Sequence, residues 1–401
     1  MPKAAQMAAA LGDAHNFGRR VSVGDERVNK PRTLLWEWLV LARESPLRRL
    51  LAQAANDAGL GRTAFAFLPT LEFFERHPRQ GGQVERARLE PLPMLDVAGK
   101  RELAAIVGRS LALWSWLGVA DLHWENLILG VDQQGQMVFG PLDVEMILAD
   151  LARPTETKLL PDADPEYAQV CRHAAGVRRV LPYLGKPIAA SDLLELASAY
   201  SEMLALLDRH AAAIAQVFES LSDLREAPIR ICLRSTAEYV QPDRESLWPP
   251  LLAAEAEQLA RGDIPYFFRL YGRPGIHYFG DATLTEVKQL PLDGDVPKLD
   301  PILRLSRGLR SPSRKRLHVE GLFTILGAFD HGALKGTFER AGFRITFKGR
   351  TLVVSLPNGE ELETSRNLSA FVSSVYLPCQ CGEVRAVFVP RVTVCDAPRG
   401  A

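Results

Sequence analysis

No apolar run in this sequence approaches the roughly 18 residues that a membrane span needs. Neither charge is in surplus. Forty-eight Lys and Arg balance 48 Asp and Glu, for a formal net charge of zero. That excludes a nucleic-acid binder held by bulk positive charge. Cysteine is scarce, with Cys171, Cys232, Cys379, Cys381 and Cys395 the full set. An odd count at scattered spacings excludes a disulfide framework. The "CQC" at 379–381 has neither a CxxC pair nor a nearby histidine, so free cysteines in a β-rich region are expected there rather than a metal site. A reducing cytoplasm is the expected compartment. The start, "MPKAAQMAAALGDAH", has one lysine, a short alanine-rich stretch and no leader-like cut site, so no signal peptide is expected.

What remains is ordinary globular material: 401 residues, 47% hydrophobic and 24% charged, enough for two or three domains. Residues 18–32 read as two short strands around a "GDE" turn. A helix follows, "TLLWEWLVLARESPLRRLLAQAAND", with a break near Pro46. "TAFAFLP" (63–69) reads as a strand and "GQVERARLEPLP" as a loop or an edge. "KRELAAIVGRSLALWSWLGVA" has apolar residues at helical spacing. It runs into "VADLHWENLIL", read as a strand end, a polar loop and another strand. A "QQGQ" turn then leads through "MVFGPLDVEMIL" to a second acidic cluster. Residues 190–221 and 247–261 read as helical. Beyond Pro297 come a basic, turn-rich run (Arg304, Arg307, Arg310, Arg314, Lys315, Arg316), read as a solvated loop, and then β structure with a "PNG" turn.

The chemistry concentrates at "VADLHWENLIL". Asp121 and Asn126 have D-x-x-x-x-N spacing, that of a kinase catalytic loop, in which Asp contacts the substrate hydroxyl and Asn holds Mg²⁺. Asp143, after the next hairpin, stands where such folds place a second metal-binding Asp. Upstream, "VNKPR" puts Lys30 at a strand end, the place of a lysine that contacts ATP phosphates. Triphosphate oxygens need a cation and a metal, the metal needs hard oxygen ligands, and the nucleophilic hydroxyl needs an acceptor. No H-R-D precedes Asp121 and no G-x-G-x-x-G is present. His123 is of the kind found in small-molecule kinases of the aminoglycoside phosphotransferase type.

Taken together, the stretches "GDAHNFGRRVSV", "NKPR", "DLHWENLILG", "LDVE", "IRICLRSTAEYV" and "ARGDIPYF" resemble the dehydratase domain of class II lanthipeptide synthetases. The resemblance covers about residues 10 to 275. It implies an α+β, protein/lipid-kinase-like two-lobed fold. Residues 1–98 would form an N-lobe, residues 99–297 a helical C-lobe, and residues 298–401 a small β-rich C-terminal region of unknown role. It implies ATP- and Mg²⁺-dependent phosphorylation of Ser and Thr in a ribosomally made precursor peptide, then elimination of phosphate to dehydroalanine or dehydrobutyrine. By position, Lys30 (ATP phosphates), Asp121, His123, Asn126 and Asp143 (Mg²⁺) belong to phosphorylation. Asp13, His15, Arg230 and Thr236 belong to elimination.

Glu145 is read as a carboxylate beside the metal. Arg230, Arg234 and Thr236 are expected to share one face. Glu37 is expected on a solvated helix face, with pairing to Lys30 the alternative. "GDIPYF" is read as scaffold. The family's front helical region, its cyclase and that cyclase's Cys-Cys-His zinc site find no counterpart, so cyclisation is not expected and a separate cyclase is an expected partner. Phe17 stands where the family's hairpin usually has glycine. Two further readings stay open. One is a kinase-fold phosphotransferase that stops at phosphorylation, and the other a non-catalytic member that binds a precursor peptide or partner enzyme.

Overall fold

The computed structural model describes residues 9–149, 151, 154–160, 175–185, 188–234, 236–241 and 250–291, with shorter stretches beyond residue 320. The basic run at 304–316 and the cysteines Cys171, Cys379 and Cys381 lie outside the described residues. The chain is a mixture of helix and sheet, as the α+β expectation has it.

The N-terminal part is an antiparallel sheet of β1 (Ala9–His15), β2 (Arg19–Val23), β3 (Arg27–Lys30), β4 (Phe73–Glu75) and β5 (Gly82–Glu85), in the order β1-β2-β3-β5-β4. The 82–85 stretch is thus an inner strand, paired on both sides, and not a loop or an edge. Between β3 and β4 lie α1 (Leu35–Leu41) and α2 (Pro46–Asp57). Pro46 does not break one helix but opens a second. The Ser45 hydroxyl caps α2, accepting from the Arg48 amide at 3.1 Å, and proline fits the first helical position because its missing N–H has no partner there. The expected strand at 63–69 is a 3-10 turn, Arg62–Phe65. Phe65, Phe67 and Leu68 are all buried, and a short run apolar on every side has no period that separates strand from turn.

The helix α3 (Val97–Leu117) is capped by Asp96, whose side chain accepts from the Gly99 amide at 2.8 Å. After the short α4 (Leu181–Leu184) comes α5 (Ala190–Arg209), followed by α6 (Ala211–Ser220). α3 and α5 pack backbone to backbone: a Cβ on Gly108 would stand 2.2 Å from the Leu196 carbonyl oxygen. Trp36, Trp114, Trp116, Tyr200 and Phe218 fill the core around them. The hairpin β6 (Leu127–Val131) and β7 (Met137–Pro141) packs on this core through Leu127 and Phe139. A four-stranded sheet runs in the order β11 (Val287–Gln289), β10 (His277–Phe279), β9 (Phe267–Leu270), β8 (Pro228–Ile231). Trp36 of α1 donates its indole N–H to the Pro228 carbonyl at 3.0 Å, tying the N-terminal helices to that sheet.

Beyond residue 320, five antiparallel strands follow one another in order: β12 (Gly336–Arg340), β13 (Phe343–Lys348), β14 (Thr351–Ser355), β15 (Glu361–Ser365) and β16 (Thr393–Cys395). Ile345, Phe347 and Val354 belong to the same core as α3. Among the described residues, no helix is long and apolar enough to cross a membrane.

Candidate functional site

The polar loop after α3 begins at Gly118, in the left-handed region at φ 66°. A Cβ there would stand 2.2 Å from the Ala149 carbonyl oxygen. The loop therefore leaves a helix, not a strand, and runs beside residues 146–149. The Ala120 amide donates to the Met146 carbonyl at 2.9 Å and the Ala149 amide to the Gly118 carbonyl at 3.0 Å. The two acidic clusters of the sequence are thus held side by side.

Val119, Ala120 and Leu122 are buried, while the Asp121 side chain is about one-third exposed, at 33%. Asp121 has φ 65°, a conformation that disfavours side chains other than glycine. Such residues concentrate at functional sites, where surrounding contacts hold them. Those contacts are visible. The Asn126 amide donates to the Asp121 carbonyl at 2.9 Å and lies 3.4 Å from its Oδ2, and Lys158 Nζ donates to Oδ1 at 2.8 Å. Asn126 stands opposite Leu142 at the open end of the hairpin, where the Leu142 amide donates to the Asn126 carbonyl at 3.0 Å. Asp143 follows Leu142 directly in the chain, one residue beyond this pairing. His123 lies between Asp121 and Glu125 but reaches neither, at 3.9 and 3.8 Å.

Lys30 meets this loop through the same residue. Its Nζ donates to the Leu142 carbonyl at 2.6 Å and to both Glu37 oxygens at 2.9 Å. Glu37 is fully buried, so the solvated-face reading of this glutamate is corrected. Its burial is compensated by two cations, since Arg32 Nη2 also reaches Glu37 Oε1 at 2.7 Å. The same guanidinium makes ion-pair contacts with Asp143 Oδ1 at 2.5 Å and Glu145 Oε2 at 2.9 Å. Burial alone would raise the Asp143 carboxyl, but Arg32 and Lys30 outweigh it and bring it down to about 2. Those three carboxylates likewise outweigh the burial that would otherwise lower the Arg32 guanidinium.

Glu145 carries the network onward. Its Oε1 pairs with Arg230 Nη1, and its backbone carbonyl accepts from the Arg230 amide at 2.9 Å. Arg230 Nη2 lies 3.4 Å from His15 Nε2, and the guanidinium sits 5.5 Å from the Tyr266 ring centre. His15 Nδ1 is 2.8 Å from the Ile264 carbonyl and so carries the proton, leaving Nε2 as acceptor. Burial, helped by the Arg230 charge, lowers the His15 pKa and keeps the ring neutral. Asp13 is exposed and acts on His15 only through its charge, which opposes that shift.

The expected shared face of Arg230, Arg234 and Thr236 does not form. Arg234 is buried elsewhere, paired with the fully buried Glu255 at 3.0 Å and donating to the Pro250 carbonyl at 2.9 Å. Tyr239 donates to the same Glu255 oxygen at 2.7 Å. Thr236 opens the short α7 (Thr236–Val240) and is exposed.

"GDIPYF" buries its aromatics and holds the β1–β2 tip. Asp263 is buried at 1% exposure, and its carboxylate accepts from the backbone amides of Phe17 and Gly18 at 2.8 and 2.7 Å. Asn16, Phe17 and Gly18 at the β1–β2 tip all have positive φ, at 49°, 70° and 77°. Successive amides in such a turn form an anion-binding concavity, here filled by a carboxylate from within the chain. Arg261 covers the Phe17 ring at 3.9 Å and pairs with Asp263 at 2.7 Å. Sequence reasoning missed Arg32, Lys158, Asp263 and Tyr266 as site residues. Arg32, Asp263 and Tyr266 lie inside quoted motifs, and only Lys158 had no signal.

Among the described residues, no three His, Cys, Asp or Glu side chains gather as a metal-binding group. Mg²⁺ asks less of a protein, because substrate phosphates and water fill most of its positions. Asp143, held ionised, and Asn126, whose Nδ2 is committed to Asp121, supply one carboxylate and one amide oxygen and fit that need. No protein-family model matches the chain, and no curated protein matches it.

Proposed function

We propose that the chain has a protein/lipid-kinase-like, two-lobed fold and is a dehydratase of the lanthipeptide-synthetase type. It works in the cytoplasm, phosphorylating Ser and Thr of a precursor peptide with ATP and Mg²⁺ and then eliminating the phosphate. One observation carries the reading: a single ion network runs from Lys30 and Glu37 through Arg32 and Glu145 to Arg230 and His15. It joins the residues that phosphoryl transfer needs to those that elimination needs.

In the first step the peptide hydroxyl attacks the γ-phosphorus, its proton passes to Asp121, and ADP leaves. Lys30 is the cation for the phosphates. Asp143 and Asn126 would hold Mg²⁺, which would supply positive charge to the transferred group. In the second step a base takes the Cα proton, the Cβ–O bond breaks, and phosphate departs. Arg230, with a buried Nε that no described group satisfies, is suited to the departing dianion. Neutral His15, beside it, is suited to accept the proton.

The test is intact-mass analysis of a Ser/Thr-rich peptide incubated with the chain, ATP and Mg²⁺. Loss of one water per modified residue supports the proposal. Gain of phosphate without loss points to a phosphotransferase that stops there. No change with several peptides, and no ATP binding, points to a non-catalytic binding member.

A further inference from the structure

We infer that Lys158 is a positioning residue for phosphoryl transfer, acting through Asp121. The inference rests on the proposed phosphorylation step. Asp121 and Lys158 are two non-glycine residues that both hold left-handed backbone, at φ 65° and 64°, and they face each other across a 2.8 Å ion pair. Between them the Leu122 amide donates to the Thr157 carbonyl at 2.8 Å, which fixes one loop against the other.

The lysine comes from a stiff turn. Its amide donates to the Thr155 carbonyl at 2.9 Å, and its carbonyl accepts from Gly176 at 3.1 Å. The buried Thr157 hydroxyl donates to the Pro154 carbonyl at 2.6 Å and accepts from the Leu159 amide at 3.0 Å. An exposed ion pair contributes little to stability, and these side chains are 49% and 33% exposed. Two strained residues aimed at one contact therefore serve orientation. Lys158 holds Oδ1, and Oδ2, which has only longer contacts, 3.4 Å to Asn126 and 3.9 Å to His123, is the oxygen left for the substrate hydroxyl.

The experiment compares the wild-type chain with Lys158→Gln, Lys158→Arg, Asp121→Asn and the Lys158→Gln/Asp121→Asn double variant. Phosphorylation of a Ser/Thr-rich peptide with Mg-ATP is measured alongside elimination from a synthetic phosphopeptide. Lys158→Gln is expected to lower kcat for phosphorylation on the order of 10²-fold, the effect of a misplaced reacting group. KM for ATP and the elimination rate stay at wild-type values, arginine restores part of the loss, and the double variant is no slower than Asp121→Asn. Full activity in Lys158→Gln, additive losses in the double variant, or equal loss of elimination each overturn the inference while phosphorylation itself stands. A wild-type chain that transfers no phosphate overturns the functional reading, and this one with it.

Discussion

Arg32 Nε lies 2.9 Å from Glu145 Oε2, and this contact joins the two halves of the site. On one side of it stand Lys30, Glu37 and Asp143, and on the other Arg230 and His15. Arg32 is the shared counter-ion of three carboxylates in a place with little water.

Replacing Arg32 with Met leaves Glu37 with Lys30 alone and Glu145 with Arg230 alone. Removing one partner from a buried ion pair costs about 3–5 kcal/mol, because the other charge stays buried. Arg32→Met is therefore expected to lower the unfolding free energy by that order, read as a fall in the midpoint of urea unfolding at unchanged m. Adding Glu37→Gln to Arg32→Met is expected to recover part of the loss. A midpoint within experimental error of wild type would mean that the cluster does not carry this charge balance.

Asp263 tests the hairpin tip. Asp263→Ala leaves the Phe17 and Gly18 amides without their acceptor, in a turn already held at positive φ. Gly18 is exposed and Phe17 half-buried, so a loss at the low end of the cost of an unsatisfied donor, about 1 kcal/mol, is expected in thermal unfolding. Elimination from a phosphopeptide is expected to fall further than phosphorylation, because His15 sits on the strand that this tip closes. Asp263→Asn, which keeps one acceptor oxygen, is expected to lie between. Equal effects on both steps would detach His15 from the tip.

The sequence was most readable where local chemistry decides structure. α3, the hairpin at 127–141 and the contact of Asn126 with Asp121 follow from helical period, turn residues and spacing. It was least readable where the partner is distant. Glu37 looks like a surface glutamate on α1 until Lys30 and Arg32 fold over it. Arg234, close to Arg230 in sequence, turns away because Glu255 is buried on the other side of the segment. Asp263 reaches the tip across 246 residues. No local pattern encodes Lys158, whose role depends on the turn that carries it.

Arg230 separates the two steps. Arg230→Ala removes donors meant for the departing phosphate, and preorganised donors of this kind are worth about 2.7–4 kcal/mol in a transition state. Elimination is expected to slow by about 10²–10³-fold, while phosphorylation proceeds and phosphopeptide accumulates in the mass spectrum. If phosphorylation falls by the same factor, the division of labour is wrong for this chain.

The pH dependence of elimination follows from His15. Burial and the neighbouring Arg230 charge lower its pKa below the ordinary 6.5. The ring thus stays neutral, with Nε2 able to accept a proton, down to pH values where an exposed histidine is already charged. Elimination from a phosphopeptide is expected to hold through pH 6.5 and fall only below it. The unfolded chain takes up this proton first, so the His15 contribution to stability weakens as pH drops below 6.5 towards the lowered value. Tyr266 and Ile264 hold the ring in place, so replacing Arg230 with Met changes mainly the charge beside it. The acid limb of the residual elimination rate is then expected to shift to higher pH, since Asp13 and Glu145, which favour the charged ring, remain. A limb that stays where it was would show that some other group sets the acid side, and His15→Gln, by keeping the limb intact, would show the same.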